Sequence, residues 1–146
     1  MRSIIQFFII ATISFGFLSC KDAGTKTESK TGAEVSAEGE IITLLNTNEF
    51  AQQIEAVGDI QLIDVRTPEE VAEGTIAGAV NFDFRAEGFE KKLEVLDKSN
   101  PVYLFCRSGG RSADAALLLK DLGFTEIYDL AGGMIDWKEA GKEVVK

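Results

Sequence analysis

The chain contains no histidine. That absence removes Cys–His nucleophile pairs, histidine general bases and histidine-ligated metal sites from consideration. Cysteine is scarce as well. Cys20 and Cys106 are the only two and lie far apart in sequence, so they cannot build a zinc cluster. No metal and no cofactor is therefore expected. Basic residues are in short supply: 15 Lys and Arg stand against 24 Asp and Glu, a net charge of −9. A surface of that sign argues against nucleic acid as a partner. Long apolar runs are nearly missing. The one run, Ile4 to Leu18, falls short of the roughly 20 residues that a membrane span needs. What remains is a chain of 146 residues, 45% hydrophobic, enough for one domain with a packed core.

The stretch Val102-Tyr103-Leu104-Phe105-Cys106-Arg107-Ser108-Gly109-Gly110-Arg111-Ser112 organises that domain. Its apolar start reads as a buried strand, with Pro101 tolerated at the entry. Ala115, Leu118, Leu119 and Leu122 follow at helical spacing, and Gly123 supplies a stop, giving a helix over about 111–122. Strand, polar loop, helix places the loop at the carboxyl edge of a sheet, where open α/β folds bind ligands. Gly109 and Gly110 let backbone N–H groups turn inward, and the helix directs its positive end at the same point. Arg107 and Arg111 add fixed charge. Cys106 is therefore expected as a thiolate inside an anion-binding cradle made by Arg107, Ser108, Gly109, Gly110, Arg111 and Ser112. The plain alternative is an inert cysteine packed at a strand end.

The N-terminus carries its own signals. Arg2 precedes the apolar run, and Ser19-Cys20 closes it. Residues 1–19 resemble a bacterial lipoprotein signal peptide, although Phe17 and Leu18 depart from the usual cleavage box. The resemblance implies acylation of Cys20, a membrane partner through that lipid, and a place in the cell envelope. An uncleaved anchor or an ordinary signal peptide is the alternative. Residues 20–40 hold Val35 as their one large apolar side chain and read as a flexible tether.

From residue 41 to 146 strands alternate with helices. Strands are expected at Ile41–Leu45, Ile60–Val65, Ala79–Phe82, 102–105 and 126–128. Helices are expected from Asn46 or Thr47 to Val57, from Thr67-Pro68, around Phe89, Leu93 and Leu96, at 111–122, and at 133–139. This alternation predicts an α/β fold in three layers, with a mostly parallel central sheet of about five strands flanked by helices. Asp64 and Arg66 follow a buried strand. They are expected to brace neighbouring loops structurally, with Glu70 a candidate partner of Arg66. Trp137 is expected to pack the last helix on the sheet, or else to wall the pocket.

Four motifs together resemble the rhodanese-like sulfurtransferases. Cys106-Arg-Ser-Gly-Gly-Arg-Ser112 is similar to their active-site loop. Leu62-Ile-Asp-Val-Arg-Thr-Pro-Glu-Glu70 and Gly74-Thr-Ile-Ala-Gly-Ala-Val-Asn81 are similar to their opening signature, and Leu130-Ala-Gly-Gly-Met-Ile-Asp-Trp137 to their closing one. Thr75 stands where that family often has histidine. The resemblance implies a monomeric enzyme in which Cys106 takes sulfane sulfur from a small sulfur-containing anion, such as thiosulfate, a polysulfide or a persulfide. It then yields that sulfur to cyanide or a thiol. Two other readings stay open. A phosphatase or arsenate-reductase relative would need one more loop residue than the Cys-x4-Arg spacing here. A non-enzymatic envelope-displayed binding module would not need the intact loop.

Overall fold

Five short strands form the sheet. The computed structural model describes residues 41–58 and 60–146; the expected leader, the tether and Cys20 lie outside the described residues. In chain order the elements are β1 (Ile42–Leu45), α1 (Thr47–Ala56), β2 (Gln61–Asp64), α2 (Pro68–Ala72), β3 (Val80–Asn81), α3 (Phe89–Leu93), β4 (Val102–Phe105), α4 (Gly110–Asp121), β5 (Ile127–Leu130) and α5 (Gly133–Glu139). The sheet order is β1-β5-β4-β2-β3, and every neighbouring pair is parallel. Among the described strands the sheet is thus parallel throughout.

Alternation along β4 and β5 splits the core in two. Val102 and Leu104 join Ile127, Phe89, Leu93, Ala115, Ala116 and Leu119 under α3 and α4. Tyr103 and Phe105 join Leu130, Phe50, Met134 and Trp137 under α1 and α5. Burying both faces explains why β4 reads as an unbroken apolar run. The helix starts follow side-chain chemistry. Asn46 caps α1 and Thr67 caps α2, each in a capping box closed by Glu49 or Glu70.

Parallel pairing brings the carboxyl ends of β2, β3, β4 and β5 to one edge. The chain runs from β2 outward to β3, but from β4 in the other direction to β5. The crevice between β2 and β4 is therefore the topological switch point. Cys106 emerges on one side of it, and Arg66 and Thr67 on the other.

Several sequence expectations shift in register. The helix after the cysteine loop starts at Gly110 and ends at Asp121, one residue early at each end. The last strand runs to Leu130 rather than stopping at Tyr128. That extension carries the acidic Asp129 into the sheet interior. The helix expected around Phe89 is only five residues long, and Leu96 packs from the turn beyond it.

Candidate active site

The loop after β4 is shaped by what touches its back. Met134 and Ile135 at the start of α5 donate their backbone N–H groups to the carbonyl oxygens of Cys106 and Arg107, at 2.9 and 3.1 Å. With those carbonyls held outward, the loop's own amides are free to face inward. Gly133 permits the approach. It sits at φ +58°, and a Cβ there would lie 2.5 Å from the Cys106 carbonyl oxygen.

Cys106 is a free thiol, 1% exposed. The Gly109 N–H donates to its Sγ at 3.1 Å, and the Ser112 hydroxyl lies 3.6 Å from the same sulfur. Burial pushes the thiol up. Hydrogen bonds from the Ser112 amide, the Ser112 hydroxyl and the amides of Ser108 and Gly109 outweigh it, so the thiol ionises below its ordinary value. This sulfur is buried against hydrogen-bond donors.

The two arginines of the loop are placed differently from each other. Arg111 makes a two-pronged pair with Glu70, with Nη1–Oε2 at 2.7 Å and Nη2–Oε1 at 2.8 Å. Glu70 is held down at about 2, first by that Arg111 hydrogen bond. Arg111 is raised, chiefly by Glu70 and to a lesser degree by the Cys106 sulfur. Its charge is thus largely matched before any ligand arrives. Arg107 is exposed at the loop's shoulder. Amides and one hydroxyl lower the Cys106 ionisation, and the paired Arg111 also acts on the sulfur.

Arg66 is likewise not paired with the Glu70 carboxylate. Its Nε and Nη2 bind Asp64, the latter at 2.6 Å, and its other side-chain hydrogen bonds go to the backbone carbonyls of Glu70 and Gly74. Asp64 also accepts from the Arg66 amide and from the Thr75 hydroxyl at 2.7 Å. Thr75 thus completes this network. Trp137 packs edge-on to Phe50, and its Nε1 donates to the Glu143 carbonyl. It lies on the sheet face under α1 and α5 and does not line the pocket above Cys106.

That pocket has a volume of about 490 Å³. Thr67, Glu70, Arg85, Cys106, Arg107, Ser108, Gly110 and Arg111 line it. Sequence reading singled out the loop residues; it did not pair Glu70 with Arg111, and it left out Arg85 and, away from the pocket lining, Asp129. Glu70 was visible as the third residue of a capping box but not as the partner of Arg111. Arg85 follows the carboxyl end of β3, which is the edge where charged residues warrant notice. Asp129 lies two residues after Ile127, on the same buried face of the strand. Among the described residues no group of three His, Cys, Asp or Glu side chains is placed to hold a metal ion.

Comparison with known proteins points one way. The Rhodanese-like domain family matches residues 46–140. A sulfurtransferase of Allochromatium vinosum is 29% identical over 105 residues, covering 72% of this chain and 96% of that one. The thiosulfate sulfurtransferase GlpE of Shewanella oneidensis is 32% identical over 96 residues, covering 66% and 92%. Among solved structures, the polysulfide-sulfur transferase homodimer of Wolinella succinogenes superposes with a TM-score of 0.61 at 30% identity, covering 71% of this chain and 78% of that one.

Proposed function

This chain belongs to the rhodanese-like domain family, and from that premise we propose that it moves sulfane sulfur from an anionic donor to a thiophilic acceptor through a persulfide on Cys106. A sulfur-transfer role is common to its sulfurtransferase relatives. The observation that carries the assignment to Cys106 is the ring of donors on its Sγ, at the base of a pocket rimmed by Arg85 and Arg107.

With thiosulfate as donor, the Cys106 thiolate attacks the outer sulfur. The S–S bond of thiosulfate breaks with its electron pair and leaves as sulfite, and the cysteine becomes a persulfide whose negative charge sits on the outer sulfur. Cyanide or a thiolate then attacks that sulfur, and the Cys106 thiolate is regenerated. Burial keeps the nucleophile's donors preorganised, so they need not reorient as charge moves outward. Arg85 and Arg107 attract the anionic donor. Arg111, braced by Glu70, holds the loop's shape while still contributing field. Sulfur moves without net oxidation, so the residues present suffice.

The test is thiocyanate formation from thiosulfate and cyanide by the full chain and by Cys106→Ser. Activity in the parent that falls by more than about a thousandfold in the variant supports the reading, since a hydroxyl cannot carry the sulfur. Equal activity in both, or none in the parent with thiosulfate, polysulfide or persulfide donors, contradicts it and leaves the binding-module reading. We also propose that the domain is tethered to the cell envelope through acylated Cys20. Its motive is the apolar run ending at Ser19-Cys20. Membrane fractionation that is unaffected by Cys20→Ser would refute the acylation.

A further inference from the structure

Among the described residues two acids are buried, Asp64 and Asp129; Asp64 is paired with Arg66, and Asp129 is in no ion pair. It is 2% exposed, and its Oδ1 has no hydrogen-bond partner. Leaving a buried carboxylate oxygen unmatched is costly, and native proteins seldom do so without a reason. Asp129 lies on β5 in register with Leu104, two residues before Cys106 in the chain, and with Leu44 on the other side. Its face of the sheet is covered by α4, whose buried residues are Ser112, Ala115, Ala116 and Leu119. Ser112 is the polar one of these four. Its hydroxyl has the Gly109 carbonyl at 3.0 Å and the Cys106 Sγ at 3.6 Å, and it also acts on the ionisation of Asp129.

The charged groups around the site are few. β1 contributes none, and on β4 and β5 the tyrosines Tyr103 and Tyr128 point to the opposite face. On α4, Arg111 is paired with Glu70, and Asp114, Lys120 and Asp121 are exposed. Cys106 is left as the titratable group sharing Ser112 with Asp129.

We propose that Asp129 is a positioning residue for the Cys106 sulfur, acting through the single proton of the Ser112 hydroxyl. The proposal rests on Cys106 being the reacting group. While Asp129 keeps its proton, it can donate to Ser112 Oγ, which directs the hydroxyl hydrogen to Sγ. Once Asp129 releases its proton to solvent, the carboxylate is a stronger acceptor than a sulfur or a carbonyl. It draws the hydroxyl to itself and places a second negative charge behind the thiolate. Burial raises the Asp129 carboxyl to about 6, against the smaller downward pull of Ser112 and the Leu130 amide. The Cys106 ionisation is lowered from its ordinary value toward that range, and the two groups titrate as a coupled pair. Persulfide formation moves the negative charge one sulfur outward, away from Asp129, and weakens the coupling.

The test is the rate at which iodoacetamide alkylates Cys106 in the full chain as pH is varied, followed by mass on the Cys106 peptide so that Cys20 does not interfere. Wild type should show a profile broader than a single ionisation. Asp129→Asn, neutral at every pH, should show one ionisation about one unit lower, the scale of removing a nearby like charge. In Ser112→Ala the same Asp129→Asn change should shift the midpoint by less than half as much. Superimposable wild-type and Asp129→Asn profiles would overturn the proposal. Should Asp129→Asn not fold, the Asp129 carboxyl of wild type can be titrated by carbon NMR before and after alkylation. Coupling is reciprocal, so its ionisation must fall when the sulfur becomes a neutral thioether, and an unchanged value is equally fatal. Alkylation needs no sulfur donor. A chain that fails to transfer sulfur, and one in which Asp129 is a bystander, therefore give different results.

Discussion

Asp64 and Asp129 invite comparison because they flank the strand that delivers the cysteine. Asp64 on β2 is in register with Phe105, and Asp129 on β5 is in register with Leu104. They are 1% and 2% exposed. Their surroundings differ completely. Asp64 accepts from the Arg66 amide, two nitrogens of the Arg66 guanidinium and the Thr75 hydroxyl. Asp129 has no countercharge, and one of its oxygens has no partner. The same residue type at nearly the same depth is thus committed to the fold in one case and left responsive in the other. What decides is whether the chain supplies a buried cation beside it.

The largest expected effect is on the matched side. Asp64→Ala strands the Arg66 guanidinium, itself 2% exposed, without a countercharge. It should destabilise the domain by about 3–5 kcal/mol in urea titrations. A loss under about 1 kcal/mol would erase the contrast with Asp129. Next is the contact behind the cysteine loop. Gly133→Ala forces a Cβ against the Cys106 carbonyl at positive φ. It should cost more than about 2 kcal/mol and slow Cys106 alkylation, since the amides lose their alignment. Asp129→Asn should behave in the opposite sense to Asp64→Ala. The folded-state pKa of Asp129 is raised to about 6 from 3.8. Between those values the native state binds more protons than the unfolded chain, so wild-type stability falls as pH rises through that window. The Asn variant lacks this loss, and thermal unfolding above pH 6 should find it more stable by about 1–2 kcal/mol. The smallest effect is at Glu70, which is partly open to water. Its pKa is depressed to about 2, so the stability it contributes is present above about 4.5 and disappears as pH falls toward 2. Glu70→Gln should cost about 1 kcal/mol at neutral pH, because solvent screens the pair, and should remove that acid-side slope.

The parallel sheet and the cysteine loop were legible in the sequence because both depend on local pattern. Val102 to Phe105 is a fully apolar run, and Gly109-Gly110 has no other economical use between a strand and a helix. The partners of the arginines were not legible. Glu70 and Arg111 are brought together only when β2 and β4 pair, and Arg66 closes on Asp64 two residues away rather than on the acid one helical turn ahead. Asp129 was missed because Ile127-Tyr128 looks like a finished strand when an acid follows. Only the pairing of β5 between β1 and β4 pulls that acid inside. Thr75 shows the same limit from another side. Its role is to complete the Asp64 network, and nothing near it in sequence says so.

The claim on which the rest depends is that the Cys106 sulfur carries sulfane sulfur. The full chain should be incubated with thiosulfate, freed of excess donor, and its mass measured under non-reducing conditions alongside Cys106→Ser. The account predicts a gain of one sulfur atom on the Cys106 peptide, lost again on brief exposure to cyanide and absent from the variant. An unmodified Cys106 peptide after exposure to thiosulfate, polysulfide and a small-molecule persulfide in turn, or an equal gain in Cys106→Ser, would contradict it.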